Sequence, residues 1–277
     1  MSTNKLFHLS PEVQDSIVYL LVMVLSGLPI LYPLGLPLKI NESTTTFYNT
    51  LNELPDGTVI LWNEGYMVSS YVSGSEIAFY RMFFDLMRDK DVKVIFISSC
   101  VDGPLGGAMI EQMLKYGVDK TDTTYGVDYV NLGWLPGFEA VLAAIAQDIQ
   151  SVTTADAYGT PISSIPVMQG LTTEDIALFG FSCGVSVDPW MRQWGPLNKP
   201  ILMFGGEQLI AQAMSYIQAG TVDAYLNGGR GNAEFEKLYG YYTLQTATMD
   251  ATNLISVYGI VLILLSNLMF RKRGVQK

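Results

Sequence analysis

The chain has 277 residues, 49% of them hydrophobic, and its mean hydropathy of +0.26 is high for a soluble protein of this length. Its formal charge of −10 at pH 7 would lead to repulsion from nucleic acid, so we exclude nucleic acid as a partner. One histidine and two cysteines are too few for a disulfide scaffold or a histidine-based metal site, and we expect no metal and no cofactor.

The first predicted element is a membrane-spanning helix at residues 17–38, after a tail of residues 1–16. These 22 positions carry no charge, and a helix of this length crosses a hydrocarbon layer of about 30 Å. Ser10 and Pro11 predict where the helix begins, because serine caps helices and proline is favoured at the first helical position. Three prolines near the end of the segment predict a break into an extended linker. A cleaved signal peptide needs a basic start and a small-residue cleavage site, neither of which is found here, so we expect an uncleaved anchor.

The following region alternates short apolar runs with amphipathic stretches. Strands are predicted at residues 58–65, 92–99, 129–134, 175–182 and 200–206, and helices at 74–89, 103–117, 137–150 and 207–220. Residues 150–174 lack periodicity and predict a long loop. Strands that are apolar throughout and separated by helices indicate a parallel sheet covered on both faces. The predicted fold is α/β, a mainly parallel three-layer domain of Rossmann or flavodoxin type between two transmembrane helices.

A juxtamembrane helix is predicted at residues 233–252, continuous with a second membrane span. Asn232 is the expected N-cap, and Glu234 and Glu236 are favourable in a first turn. Because no proline occurs between Ala233 and the end of the span, we expect one unbroken helix. Its first half carries an apolar stripe, which either its own domain or a neighbouring subunit must cover.

The second predicted span covers residues 253–270 and leads into a basic tail, residues 271–277. The span has 18 uncharged positions, and four basic residues follow it, which places the tail in the cytoplasm. With two spans, both termini are cytoplasmic and residues 39–232 form an extracytoplasmic α/β domain. The predicted location is therefore the cell membrane, with the lipid bilayer as one partner.

The motif "GFSCG" at residues 180–184 matches the G-x-S-x-G pattern of a serine nucleophile elbow. A catalytic triad would also need a histidine, and the only histidine, His8, is predicted on the opposite side of the membrane. The segment "VSVDPWMRQWGP" that follows is a poor start for the helix that an elbow requires. We therefore expect a protein that is not an enzyme, and a serine hydrolase using Ser182 is the least favoured alternative.

The two cysteines, Cys100 and Cys183, each follow an apolar run and are predicted at the carboxyl ends of two strands. If those strands are neighbours, a disulfide between the cysteines is feasible. Two buried thiols are an equally compatible alternative.

Ligands of open α/β sheets bind outside the carboxyl ends of the strands. The residues predicted at this edge with polar or aromatic side chains are Glu64, Ser99, Asp102, Trp134, Ser182 and Glu207. The many aromatic residues suit interfaces as well as cores. The favoured function is assembly or interaction, as a homo-oligomer or a subunit of a membrane complex. The alternative is sensing of a small solute or anion at the strand-end edge.

Overall fold

The computed structural model describes residues 10–65, 77–100, 123–184 and 186–274. The chain divides into two compact units, Leu38–Tyr241 and the pair of segments Met1–Pro37 and Tyr242–Lys277. The predicted helix at 103–117 lies outside the described residues.

The larger unit is built on a six-stranded sheet in which every neighbouring pair is parallel. The strands are β1 (Val59–Asn63), β2 (Lys93–Ser98), β3 (Tyr129–Trp134), β4 (Ile176–Cys183), β5 (Ile201–Gly205) and β6 (Ala224–Asn227). Their order in the sheet is β3-β2-β1-β4-β5-β6. This order and the parallel pairing define a Rossmann-like α/β domain, which confirms the predicted fold class. Strand β6 was not predicted, because four residues are too few to show a periodicity.

The described helices flank this sheet or belong to the smaller unit. They are α1 (Pro11–Leu31), α2 (Glu42–Asn52), α3 (Ile77–Lys90), α4 (Glu139–Gln147), α5 (Asp188–Trp194), α6 (Ile210–Gln218), α7 (Gly228–Tyr239) and α8 (Leu244–Gly274). The predicted loop at 150–174 contains only three-residue 3₁₀ turns among its regular elements. Helices α2 and α5 were not predicted, since α2 is rich in threonine and α5 has only seven residues.

Both faces of the sheet are buried, because successive side chains of a strand point to opposite faces. Leu61 and Phe179 belong to a core that includes side chains of α4, α5 and α6. Trp62 and Leu178 belong to a second core, on the other face, with side chains of α2, α3 and α7. The domain therefore has three layers, as the apolar strands predicted.

The prediction of one unbroken helix from residue 233 to 270 is wrong. Helix α7 ends at Tyr239, and Gly240 adopts a left-handed conformation with φ of 79°, which closes the helix. Helix α8 begins only at Leu244. Helix α7 also begins earlier than expected, at Gly228, so Asn232 lies inside the helix and is not its cap.

Glu234 is a buried carboxylate that joins α7 to the start of α2. It is 0% exposed and accepts hydrogen bonds from the backbone and side chain of Asn41, from Thr44 Oγ1 and from Arg230 Nε, at 2.8–2.9 Å. The N-terminus of a helix has N–H groups without helical partners, and a carboxylate there is favourable. Glu234 therefore fixes the position of α2 from a distant part of the chain.

The smaller unit is a pair of packed antiparallel helices, α1 and α8. Helix α1 begins with Ser10 at the N-cap and Pro11 at the first position, which confirms that prediction, and the residues that follow Leu31 form no helix or strand before α2. By length and composition, both helices are sufficient to cross a membrane, and only 6% of each apolar window is buried. Their apolar side chains are therefore exposed.

Asp250 of α8 connects the two helices of this unit. Its carboxylate accepts hydrogen bonds from the backbone N–H groups of Leu34, Gly35 and Leu36, at 2.7, 2.8 and 2.9 Å. The residue is 2% exposed. Because these three donors lie in a segment without regular secondary structure and have no helical partner, the carboxylate is their acceptor and secures the end of α1 beside the start of α8.

Replacement of Asp250 tests this connection. We expect Asp250→Ala to lower the unfolding free energy of the detergent-solubilised protein by about 3 kcal/mol, because three backbone N–H groups lose a charged acceptor. Asp250→Asn keeps one acceptor oxygen and should lose less. Thr252→Ala, at an exposed position of the same helix, is the matched control. Equal urea midpoints for Asp250→Ala and the control would contradict the role of Asp250.

Candidate functional site

The sheet has a topological switch point between β1 and β4, where the strand order changes direction. Helix α3, which follows β1, packs in the layer of Trp62, and α5, which follows β4, packs in the layer of Phe179. In folds of this topology, a crevice commonly forms at the carboxyl ends of the two strands on either side of the switch point. Ligands of open α/β sheets bind at such a position, so this edge is the candidate site.

Three of the predicted site residues lie together at this edge. Glu64 follows β1, Ser99 follows β2, and Ser182 is the second-last residue of β4. Strand β1 pairs with both β2 and β4, so the three residues come from adjacent strands.

The other predicted site residues are not at the switch point. Trp134 ends β3 and Glu207 follows β5, each two strands from β1, or about 10 Å at normal strand spacing. Both are exposed, Trp134 by 48%. Asp102 lies outside the described residues. The predicted site residues therefore divide into one central cluster, which is Glu64, Ser99 and Ser182, and two separate outer positions, Trp134 and Glu207.

Side-chain hydrogen bonds hold the ends of β1 and β2 in register. Asn63 donates from Nδ2 to Ser99 Oγ at 2.8 Å, and its Oδ1 accepts from the Ser99 N–H at 2.9 Å. Ser98 Oγ donates to the backbone oxygen of Glu64 at 2.7 Å. All four residues are buried. This part of the edge is therefore already arranged before any ligand binds.

Glu64 is the buried ionisable group of the cluster. Its side chain is 1% exposed, and Oε2 accepts a hydrogen bond from the hydroxyl of Tyr80 on α3, while Oε1 has no partner among the described residues. Burial raises the pKa of Glu64 to about 8, and the hydrogen bond from Tyr80 acts in the opposite direction. The carboxyl group is therefore mostly protonated at pH 7.

Tyr80 is a site residue that the sequence pattern did not reveal. The pattern placed it on the apolar stripe of a predicted helix, and the residue is indeed 0% exposed. A tyrosine on such a stripe brings a hydroxyl group into the core, where it needs a partner. That need is the signal that would have linked Tyr80 to a neighbouring acid.

Ser182 does not have the geometry of a nucleophile elbow. It lies within β4, in register with Phe204 of β5, and is 2% exposed. An elbow nucleophile is exposed on a strained turn after its strand. The geometry of Ser182 therefore gives no support to a serine hydrolase.

The remainder of the "GFSCG" motif also has a structural explanation. A Cβ atom on Gly180 would overlap the ring of Trp62 on the neighbouring strand, so glycine provides the space for this indole. The segment after the motif, a poor start for a helix by its sequence, nevertheless contains α5, which begins at Asp188 with Pro189 in its first turn.

The two cysteine-bearing strands are not neighbours, because β1 lies between β2 and β4. Cys100 is half-buried, just after β2, and Cys183 is the last residue of β4. The side chain of Cys183 lies outside the described residues, so the disulfide stays a prediction.

The fold and the edge together define a Rossmann-like α/β domain with a buried acid in the turn after β1. Comparison with protein-family models, with curated proteins and with solved structures finds no match for this chain. Its function is therefore argued from its own residues.

The raised pKa of Glu64 predicts how the unfolding free energy of the protein depends on pH. The folded pKa of about 8 is above the ordinary value of 4.5, so the folded state binds the proton more tightly. The unfolding free energy should therefore decrease, relative to Glu64→Gln, as the pH rises from about 4.5 to about 8, by at most about 1.4 kcal/mol per pH unit. Denaturant unfolding of both proteins across this range measures the difference.

One control variant and one contradicting outcome make the result specific. Glu207→Gln removes the same charge at an exposed position of the same sheet edge. A difference between wild type and Glu64→Gln that stays constant with pH would contradict the buried, protonated state of Glu64.

Proposed function

We propose that this chain is a membrane-anchored α/β module that acts outside the cytoplasm in assembly or interaction, as a homo-oligomer or as a subunit of a membrane complex. The observation that carries the anchoring is the pair α1 and α8, whose apolar side chains point outward. Met23 is 71% exposed, Leu31 73% and Ile263 63%. Soluble proteins rarely expose a continuous apolar surface of this kind, whereas hydrocarbon solvates it.

The proposed orientation follows from the helix pair and the basic tail. Antiparallel spans bring both chain ends to one side of a bilayer. The chain ends with four basic residues, Arg271, Lys272 and Arg273 in the last turns of α8 and Lys277 after it, and such clusters favour the cytoplasmic side. The α/β domain, which connects the other ends of the two helices, is then extracytoplasmic.

The assembly role is supported by an aromatic surface at the β3 edge of the sheet. Trp134 is 48% exposed and Tyr158 is 56% exposed. The preceding residues, Gly133 and Ala157, lie so close that a Cβ on Gly133 would be 3.2 Å from the Ala157 Cβ. Tryptophan and tyrosine are enriched in protein interfaces, so this surface is the proposed contact between subunits.

Protease protection tests the orientation. In right-side-out vesicles, we expect an external protease to digest the α/β domain and to leave a C-terminal tag intact. Replacement of Arg271, Lys272 and Arg273 by glutamate should disturb the orientation, because the positive charges of the tail are lost. A protected domain with an accessible tag in the wild type would contradict the proposal.

Mass photometry of the detergent-solubilised protein tests the assembly. We expect particles at multiples of the 30.5 kDa chain, and a shift to single chains when Trp134 and Tyr158 are both replaced by alanine. Ile210→Ala, at an exposed position on α6 beside β6 and thus at the opposite sheet edge, is the control. A wild type that is strictly monomeric and without partners would contradict the proposal.

A second function, binding of a small solute at the strand-end edge, is favoured by Glu64. A buried carboxyl group with one unpartnered oxygen lies at the switch point of the sheet, where such folds bind ligands. A thermal-shift screen of the full chain against small polar solutes tests this function. If no solute in the screen stabilises the protein, the solute-binding function is excluded.

A further inference from the structure

The turn after β1 is the place where dinucleotide-binding Rossmann domains hold a phosphate group. In those domains the turn is rich in glycine, and the phosphate lies at the N-terminus of the following helix. Here Glu64 directly follows β1, and its carboxyl group accepts a hydrogen bond from Tyr80 of α3. A phosphate at this position would therefore meet an acid of the chain itself.

Two other buried carboxyl groups of the chain show how a fully partnered acid is held. Glu234 accepts four hydrogen bonds, and Asp250 accepts three. Glu64 is as deeply buried as these two, yet among the described residues its carboxyl group accepts one hydrogen bond and leaves Oε1 without a donor. Because unpaired buried oxygens are rare in folded proteins, the missing donor points to a ligand.

The backbone next to Glu64 is closely packed. Gly65 lies against the carbonyl group of Ser182, and a Cβ on Gly65 would overlap this carbonyl. The same Cβ would lie 3.4 Å from Cys100 Sγ, so β1 and its neighbours are in close contact at this level. Because Glu64 Oε1 lacks a donor, a compact group with several N–H donors suits this position. A primary ammonium group is compact, carries three N–H donors and has the charge that matches a carboxylate.

We infer that the edge at Glu64 binds a small solute with a primary ammonium group, which donates to Oε1 and takes the place of the carboxyl proton. The proton is released to the solvent, and an ammonium–carboxylate pair forms. Tyr80 on α3 keeps its hydrogen bond to Oε2, and the thiol of Cys100 after β2 is a second titratable group at this end of β1. The inference rests on the solute-binding function proposed above and specifies its ligand class.

Because binding releases a proton, the affinity should depend on pH. We expect the dissociation constant to fall about tenfold per pH unit as the pH rises toward 8, the pKa of Glu64. Above that pH the dependence should disappear, since the carboxyl group is already ionised.

Calorimetry and thermal shift on the full detergent-solubilised chain test the inference. Ethylammonium is the probe, propanol is the neutral comparison, and inorganic phosphate and NAD represent anionic ligands. We expect ethylammonium to bind and stabilise the protein, and Glu64→Gln to weaken binding by at least tenfold. Glu207→Gln, which makes the same charge change at the same sheet edge, should bind as the wild type does.

The possible outcomes distinguish a failure of the ammonium assignment from a failure of the proposed solute-binding function. If Glu64→Gln retains the affinity, or if phosphate, NAD or propanol stabilises the protein and ethylammonium does not, the ammonium assignment is wrong while solute binding stands. If no solute stabilises the protein, both are wrong. Glu64→Gln mimics the protonated acid, so this variant should remain folded. The second variant, Glu64→Asp, keeps the charge on a shorter side chain and should bind ethylammonium more weakly than the wild type does.

Discussion

The burial of β1 on all sides is the constraint on which the rest of the domain depends. Strands β2 and β4 pair with its two edges, and helical layers cover both faces of the sheet. The residue that follows β1 is almost fully buried, so its polar groups need partners within the protein or in a ligand. Glu64 is that residue, and its incomplete set of hydrogen bonds distinguishes it from an ordinary structural acid.

Buried carboxylates otherwise serve as acceptors for backbone groups that regular structure leaves unpaired. Glu234 receives donors from the start of α2, and Asp250 receives three N–H groups from the irregular segment after α1. In both cases the acid and its donors are more than 180 residues apart in the chain. Each unit therefore has one acid that joins its first segment to its last.

The local patterns predicted most elements of the domain and some details of its helices. Five predicted strands and three predicted helices are present, and Ser10 with Pro11 marks the start of α1 as expected. The errors have physical causes. The four residues of β6 are too short for a periodicity, and the left-handed Gly240 ends a helix that contains no proline.

The sequence by itself determined the α/β class and the two long apolar helices, because hydrophobic period and apolar length are properties of neighbouring residues. Only the tertiary structure decided which strand ends meet. Strand order depends on pairing between distant segments, which no local pattern encodes. That order placed Glu64 beside Tyr80 at the switch point, put β1 between the strands of the two cysteines, and buried Ser182 inside β4.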